Sequence, residues 1–134
     1  MNIVWVNGCF DIVHLGHIRM FEFAKSKGDL LYVGLDSDEK VKKDKGETRP
    51  FNNIDYRKEF LESVKFIDKV FVFNSDDELI KIVKSVNPKF RVIGSDYKNK
   101  NIIGREYSNK IIFFDRVKDY STTNILETKR NVVC

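Results

Sequence analysis

Two histidines stand three residues apart, His14 and His17, with Leu15 and Gly16 between them, and the chain has no others. They follow Asn7-Gly8-Cys9-Phe10-Asp11. An imidazole offers an N–H donor whether neutral or charged, so a pair at this spacing can point at one anion. If a helix begins here, its unpaired backbone N–H groups and its dipole favour the same anion. Gly8 lets main chain come close to a ligand. The chemistry indicated is the gripping of a phosphate. Metal ligation by the two rings, with Asp11 as a third donor, is the alternative, and a cap or a filler is the plain reading of a lone histidine.

The elements around the pair decide where it sits. Ile3-Val4-Trp5-Val6 reads as a buried strand, with Asn7-Gly8 turning out of it, and His17 to Ser26 reads as a helix with Gly28 as its C-terminal cap. Leu30 to Leu35 is a second strand, and the basic stretch 40–49 is expected to be a loop with a short helix at its start. Asn53 or Asp55 can cap a helix carrying Phe60, Leu61 and Val64. Val70 to Phe73 is a third strand. Asp76-Asp77-Glu78 opens a helix lined by Leu79, Ile82, Val83 and Val86 and ended by Pro88. Phe90 to Gly94 and Ile111 to Phe114 are two more strands, and Ser121 caps a last helix with Ile125 and Leu126. Strands without alternation, separated by helices, imply a parallel sheet buried on both faces. The expectation is an α/β fold, a doubly wound, Rossmann-like, five-stranded parallel sheet with helices on both faces. Such sheets bind ligands beyond the carboxyl ends of their strands, which is where the histidines fall.

Composition fits one domain over 1–134. The 134 residues are 42% hydrophobic with 17 aromatics, and 33% are charged, which suits a globule and not a disordered chain. No apolar run approaches the roughly 20 residues that cross a bilayer, and the first residues lack a signal-peptide shape. Two cysteines, Cys9 and Cys134, cannot build a disulfide framework, so a reducing, cytoplasmic setting and no membrane partner are expected. Lys and Arg exceed Asp and Glu by four. That excess suits a phosphate-bearing ligand, a nucleic acid or mere solubility, and the crowd of Lys40, Lys42, Lys43, Lys45, Arg49, Arg57 and Lys58 reads equally as a solvated face.

Gly8-Cys9-Phe10-Asp11 with His14-Leu15-Gly16-His17 resembles the signature of the cytidylyltransferase-like nucleotidyltransferases. Arg49-Pro50-Phe51-Asn52, Tyr56-Arg57-Lys58, Gly94-Ser95-Asp96-Tyr97-Lys98 and Ser121-Thr122-Thr123-Asn124-Ile125 have counterparts there in the same order. The set is most similar to the nucleotidyltransferase half of bacterial ADP-heptose synthases, then to glycerol-3-phosphate cytidylyltransferase. This resemblance implies transfer of a nucleotidyl group from a nucleoside triphosphate (ATP or CTP) to a sugar phosphate of the heptose 1-phosphate kind, with release of pyrophosphate. The alternative is a cytidylyltransferase acting on glycerol 3-phosphate or another polyol phosphate.

The same resemblance implies roles. His14 and His17 would hold the α- and β-phosphates, with Gly16 between them, Gly8 allowing close approach of the nucleotide, and backbone N–H groups of Cys9 and Phe10 adding donors. Lys45 would reach the triphosphate or the acceptor phosphate. Arg57 would anchor its stem in the core and extend its fork to a phosphate. Ser121, Thr122 and Thr123 would face the same anion, and Arg116 matches an arginine preceding that motif in the cytidylyltransferases. Between them stand Val117-Lys118-Asp119-Tyr120, where those relatives carry threonine, glycine and isoleucine. Asp96 and Tyr97 would touch the acceptor, and Asp11 would brace the first loop. Mg2+ would enter on the triphosphate, with no dedicated protein ligands. A homodimer is expected. Two rivals of other classes are a module that holds nucleotide without turnover, and nucleic-acid binding through the basic stretch. The aromatics fall in strands and helix cores and form no stacking series for a single strand, so no nucleic-acid partner is expected.

Overall fold

The computed structural model describes residues 1–107 and 109–115. Five strands, β1 (Ile3–Gly8), β2 (Leu30–Asp36), β3 (Lys69–Phe73), β4 (Phe90–Gly94) and β5 (Lys110–Phe114), form one sheet in the order β3-β2-β1-β4-β5. Every pairing is parallel. The helices are α1 (Leu15–Lys25), α2 (Asp38–Lys45), α3 (Ile54–Glu62) and α4 (Asp76–Val86), with 3₁₀ turns at Ser95–Tyr97 and Arg105–Tyr107. This is the doubly wound Rossmann-like sheet that the uninterrupted apolar strands imply. The last helix expected, from Ser121, lies outside the described residues.

Strand alternation sorts side chains into two cores. Val4, Val6, Leu31, Val33, Leu35 and Val92 pack with Phe21 and Ala24 of α1 and Leu61 of α3. On the opposite face Trp5 and Phe73 pack with Leu79 and Val83 of α4. Gly34 is glycine because Trp5 lies on it: a Cβ there would come within 2.5 Å of the indole Cζ2.

Three local expectations change. Gly28 does not cap α1; the helix closes on Ser26. Gly28 instead passes against β1, where a Cβ would stand 2.7 Å from the Asn2 carbonyl oxygen and 2.9 Å from Val4 Cγ2. Helix α1 begins at Leu15, two residues before His17, with His14 as its N-cap. The basic stretch is chiefly a helix: Ser37 caps α2, acids Asp38 and Glu39 fill its first turn and Lys42, Lys43 and Lys45 its last, both signs matching the helix dipole.

Strand order reverses between β1 and β4, and the ladder there is short. The two strands pair only at Val4–Phe90 and Trp5–Arg91, while β1 continues to Gly8 and β4 to Gly94. Beyond Trp5 they part, and the crevice this opens is the natural ligand position of such a sheet.

Candidate active site

The loop leaving β1 is held in an uncommon shape. Phe10 has φ of 46°, a left-handed conformation that costs a non-glycine residue about 1–2 kcal/mol. Packing supplies the compensation. The Phe10 ring is buried, lies edge-on to Phe21 and His17, and covers Gly8 so closely that a Cβ there would meet it at 3.3 Å.

The two imidazoles stack, with ring centroids 3.9 Å apart. His14 Nδ1 accepts from the Gly16 N–H at 3.1 Å, and His17 Nδ1 accepts from the His14 N–H at 3.2 Å. A nitrogen that accepts a hydrogen bond carries no proton, so each neutral ring holds its proton on Nε2. One nitrogen of each ring thus fixes the helix start, and the other carries the N–H beside the helix N-terminus. The reading of His14 as a cap is met by this side chain.

Behind this loop lies a brace. The Asp11 carboxylate accepts from Arg49 Nε at 3.0 Å and from the Phe51 and Asn52 N–H groups at 2.8 Å each. The Asn52 side chain donates to the Asp11 carbonyl at 2.7 Å. Arg57, only 1% exposed, donates to the Asn52, Cys9 and Asp36 carbonyls and, at 2.7 Å, to Asp38. The expectation that Arg57 extends its fork to a phosphate is therefore corrected. Its guanidinium is occupied by protein oxygens at the ends of β1 and β2, and it borders only a hollow of about 90 Å³ beside α3.

The cleft proper has a volume of about 510 Å³. Gly8, Cys9, Phe10, His14, Gly16, His17, Lys45 and Tyr97 line it together. Asp96 has its backbone in the 3₁₀ turn after β4; its side chain is not among those described. Arg116, Ser121, Thr122 and Thr123 lie outside the described residues. Burial pushes the Cys9 thiol up, against the attraction of Lys45 and Arg57, which favours its neutral form in the cleft wall.

Sequence reasoning missed the wall on the α4 side. Asn7 Oδ1 accepts from both Trp5 Nε1 and Arg91 Nη2, each at 2.9 Å, bridging β1 and β4 where their ladder has ended. Arg91 Nη1 donates to the Ile103 carbonyl. Arg91 is 2% exposed with no ion pair among the described residues, and burial lowers its pKa to about 10 despite the attraction of Glu106. Lys40, which lines the same cleft, holds Asp44 at 2.6 Å, Asp76 at 3.3 Å and Asp36 at 3.9 Å. Burial raises the Asp36 carboxyl above its usual range, with Lys40 pulling the other way. Two signals were present: an arginine inside an apolar strand, and the i,i+4 spacing of residues 36, 40 and 44.

A phosphate-binding helix start at a sheet's switch point occurs in several families. The sequence model described as cytidylyltransferase-like matches residues 5–128. The chain belongs to this family. As a cytidylyltransferase-like protein it is a nucleotidyltransferase, and the motif resemblance to the heptose-synthase domain holds. Bifunctional protein HldE of Campylobacter jejuni subsp. doylei is 44% identical over 125 residues, covering 93% of this chain. The HldE of Nitratiruptor sp. is 44% identical over 131 residues, 96% of the chain. The chain spans about a quarter of these curated relatives, 27% and 28%. Among solved structures, a lipopolysaccharide core biosynthesis protein from Thermoplasma volcanium superposes with a TM-score of 0.74 at 25% identity, over 87% of this chain and 98% of that one. Pantothenate synthetase from Thermus thermophilus shares the fold, with a TM-score of 0.67 at 12% identity over 97% and 64%. No described helix is long and apolar enough to cross a membrane.

Proposed function

We propose that this cytidylyltransferase-like protein moves a nucleoside monophosphate from a nucleoside triphosphate onto a sugar phosphate of the heptose 1-phosphate kind. The observation that carries the reading is the stacked histidine pair, with both Nδ1 atoms engaged by backbone and both protons on Nε2, at the N-terminus of a helix facing the cleft. The 44% identity to the bifunctional HldE proteins supports the heptose-like acceptor. An acceptor phosphate oxygen attacks the α-phosphorus. The bond to the β-phosphate oxygen breaks in line, and pyrophosphate leaves with the electron pair. No covalent intermediate is needed, so catalysis is positioning and charge stabilisation. His14 and His17 donate to non-bridging oxygens where charge builds, and Lys45 at the end of α2 supplies a mobile positive charge. Among the described residues no group of three or more His, Cys, Asp or Glu is placed to hold a metal. Magnesium would be carried by the triphosphate's own oxygens, where it neutralises the leaving group.

Pyrophosphate release, assayed with ATP and with CTP against heptose 1-phosphate and glycerol 3-phosphate, tests the reading. Turnover confined to CTP with glycerol 3-phosphate would transfer the assignment to the polyol cytidylyltransferases. His17→Ala should lower turnover by roughly 10²–10³, the cost of one lost transition-state donor; undiminished product formation would remove the histidine pair from the mechanism.

A further inference from the structure

The α4-side wall is more elaborate than phosphate binding requires. Lys40 hydrogen-bonds Asp44, but Asp76 at 3.3 Å and Asp36 at 3.9 Å stand outside good hydrogen-bond range of its ammonium. Lys40 compensates their charge and leaves their oxygens able to accept. Arg91 lines the same cleft and is buried, and its Nε has no hydrogen-bond partner among the described residues. A buried N–H without an acceptor is uncommon enough to need a reason, and an oxygen-bearing ligand against this wall would supply one. Keeping the Asp36 charge near-buried works against folding, since burial raises its pKa. Such a cost is characteristic of a group retained for function.

We infer that this wall, built by Asp36 at the end of β2, Asp76 at the start of α4 and Arg91 on β4, seats the hydroxyl-bearing body of the acceptor sugar. The inference rests on the nucleotidyl-transfer reading and specifies where the second substrate lies. Carboxylates accept from sugar hydroxyls, and Arg91 Nε donates to a sugar oxygen. A nucleobase would call for a flat apolar slot, and a bare phosphate would be repelled by two carboxylates; a neutral, many-hydroxyl body suits the mixture. The phosphate end would then lie toward Lys45 and the histidines, which border the same cleft. Asp36 and Asp76 are specificity residues in this scheme and take no part in bond making.

Calorimetry on the full chain with heptose 1-phosphate, inorganic phosphate and ATP tests it. Wild type should hold heptose 1-phosphate at least about tenfold more tightly than inorganic phosphate, and Asp76→Asn and Asp36→Asn should each weaken the sugar phosphate by about tenfold, as for loss of a charged hydrogen bond. ATP affinity should not change. Asp76 is well exposed, so its variant tests the subsite without disturbing buried groups. Equal affinity for heptose 1-phosphate and inorganic phosphate in wild type, or weakening of ATP alone in the variants, overturns the subsite. Turnover separates the two readings. If pyrophosphate is released but both variants keep the wild-type acceptor KM, the subsite is wrong and the reaction stands. If the sugar phosphate binds as described with no nucleotidyl transfer, the subsite stands and the reaction falls.

Discussion

Two buried arginines, Arg91 lining the cleft and Arg57 behind its first loop, are treated in opposite ways. Arg57 uses Nε and both Nη atoms on four protein oxygens, one of them the Asp38 carboxylate at 2.7 Å. Arg91 is as deeply buried, yet it has no carboxylate in contact and an Nε with no acceptor among the described residues. The first joins the ends of β1, β2 and α3 into a fixed frame. The second is a cation held at the rim of a cavity with capacity unspent. Burial alone does not separate structural from ligand-directed charge; the completeness of its hydrogen bonding does.

The contrast can be broken by substitution. Arg57→Met strands the Asp38 carboxylate and three carbonyls, and chemical denaturation should show a loss of about 3–5 kcal/mol, the usual cost of removing one member of a buried pair. Arg91→Met removes a buried charge that no carboxylate contacts among the described residues, so its stability should stay within about 1 kcal/mol of wild type. A loss equal to that of Arg57→Met would erase the distinction. The smallest effect has a sign that sharpens the picture. The Asp36 carboxyl titrates above its usual range in the fold because it is buried, so the folded state takes up its proton more readily than the unfolded chain. Ionisation therefore costs stability as pH rises through the ordinary carboxylate range toward the folded value, and below that range the cost is absent. Asp36→Asn should melt higher than wild type at pH 7, with the gain fading by about pH 3, where both states are neutral. A gain that persists at low pH would assign it to packing instead.

The sheet was legible because its strands are unbroken apolar runs with helices between them, and the position of the site followed from strand order. Helix α2 was less so: Val41 is its one buried residue, leaving no apolar period to read, and its start depends on the Ser37 cap and on charges four apart. The histidine loop was visible as a motif, but not the division of labour within each ring, which depends on the Gly16 and His14 N–H groups coming within reach of the Nδ1 atoms. Arg57 illustrates the opposite failure. Family position suggested a phosphate ligand, and only the convergence of Cys9, Asp36 and Asn52 carbonyls shows its fork already filled. Arg91 and Asp36 were overlooked because their significance lies in contacts across elements far apart in sequence.

The chain contains one tryptophan, and its indole N–H shares an acceptor, Asn7 Oδ1, with Arg91. Two links connect a buried fluorophore to the mouth of the crevice. A ligand that engages the guanidinium should redistribute charge next to the indole, so Trp5 emission should report occupancy with neither label nor coupled enzyme.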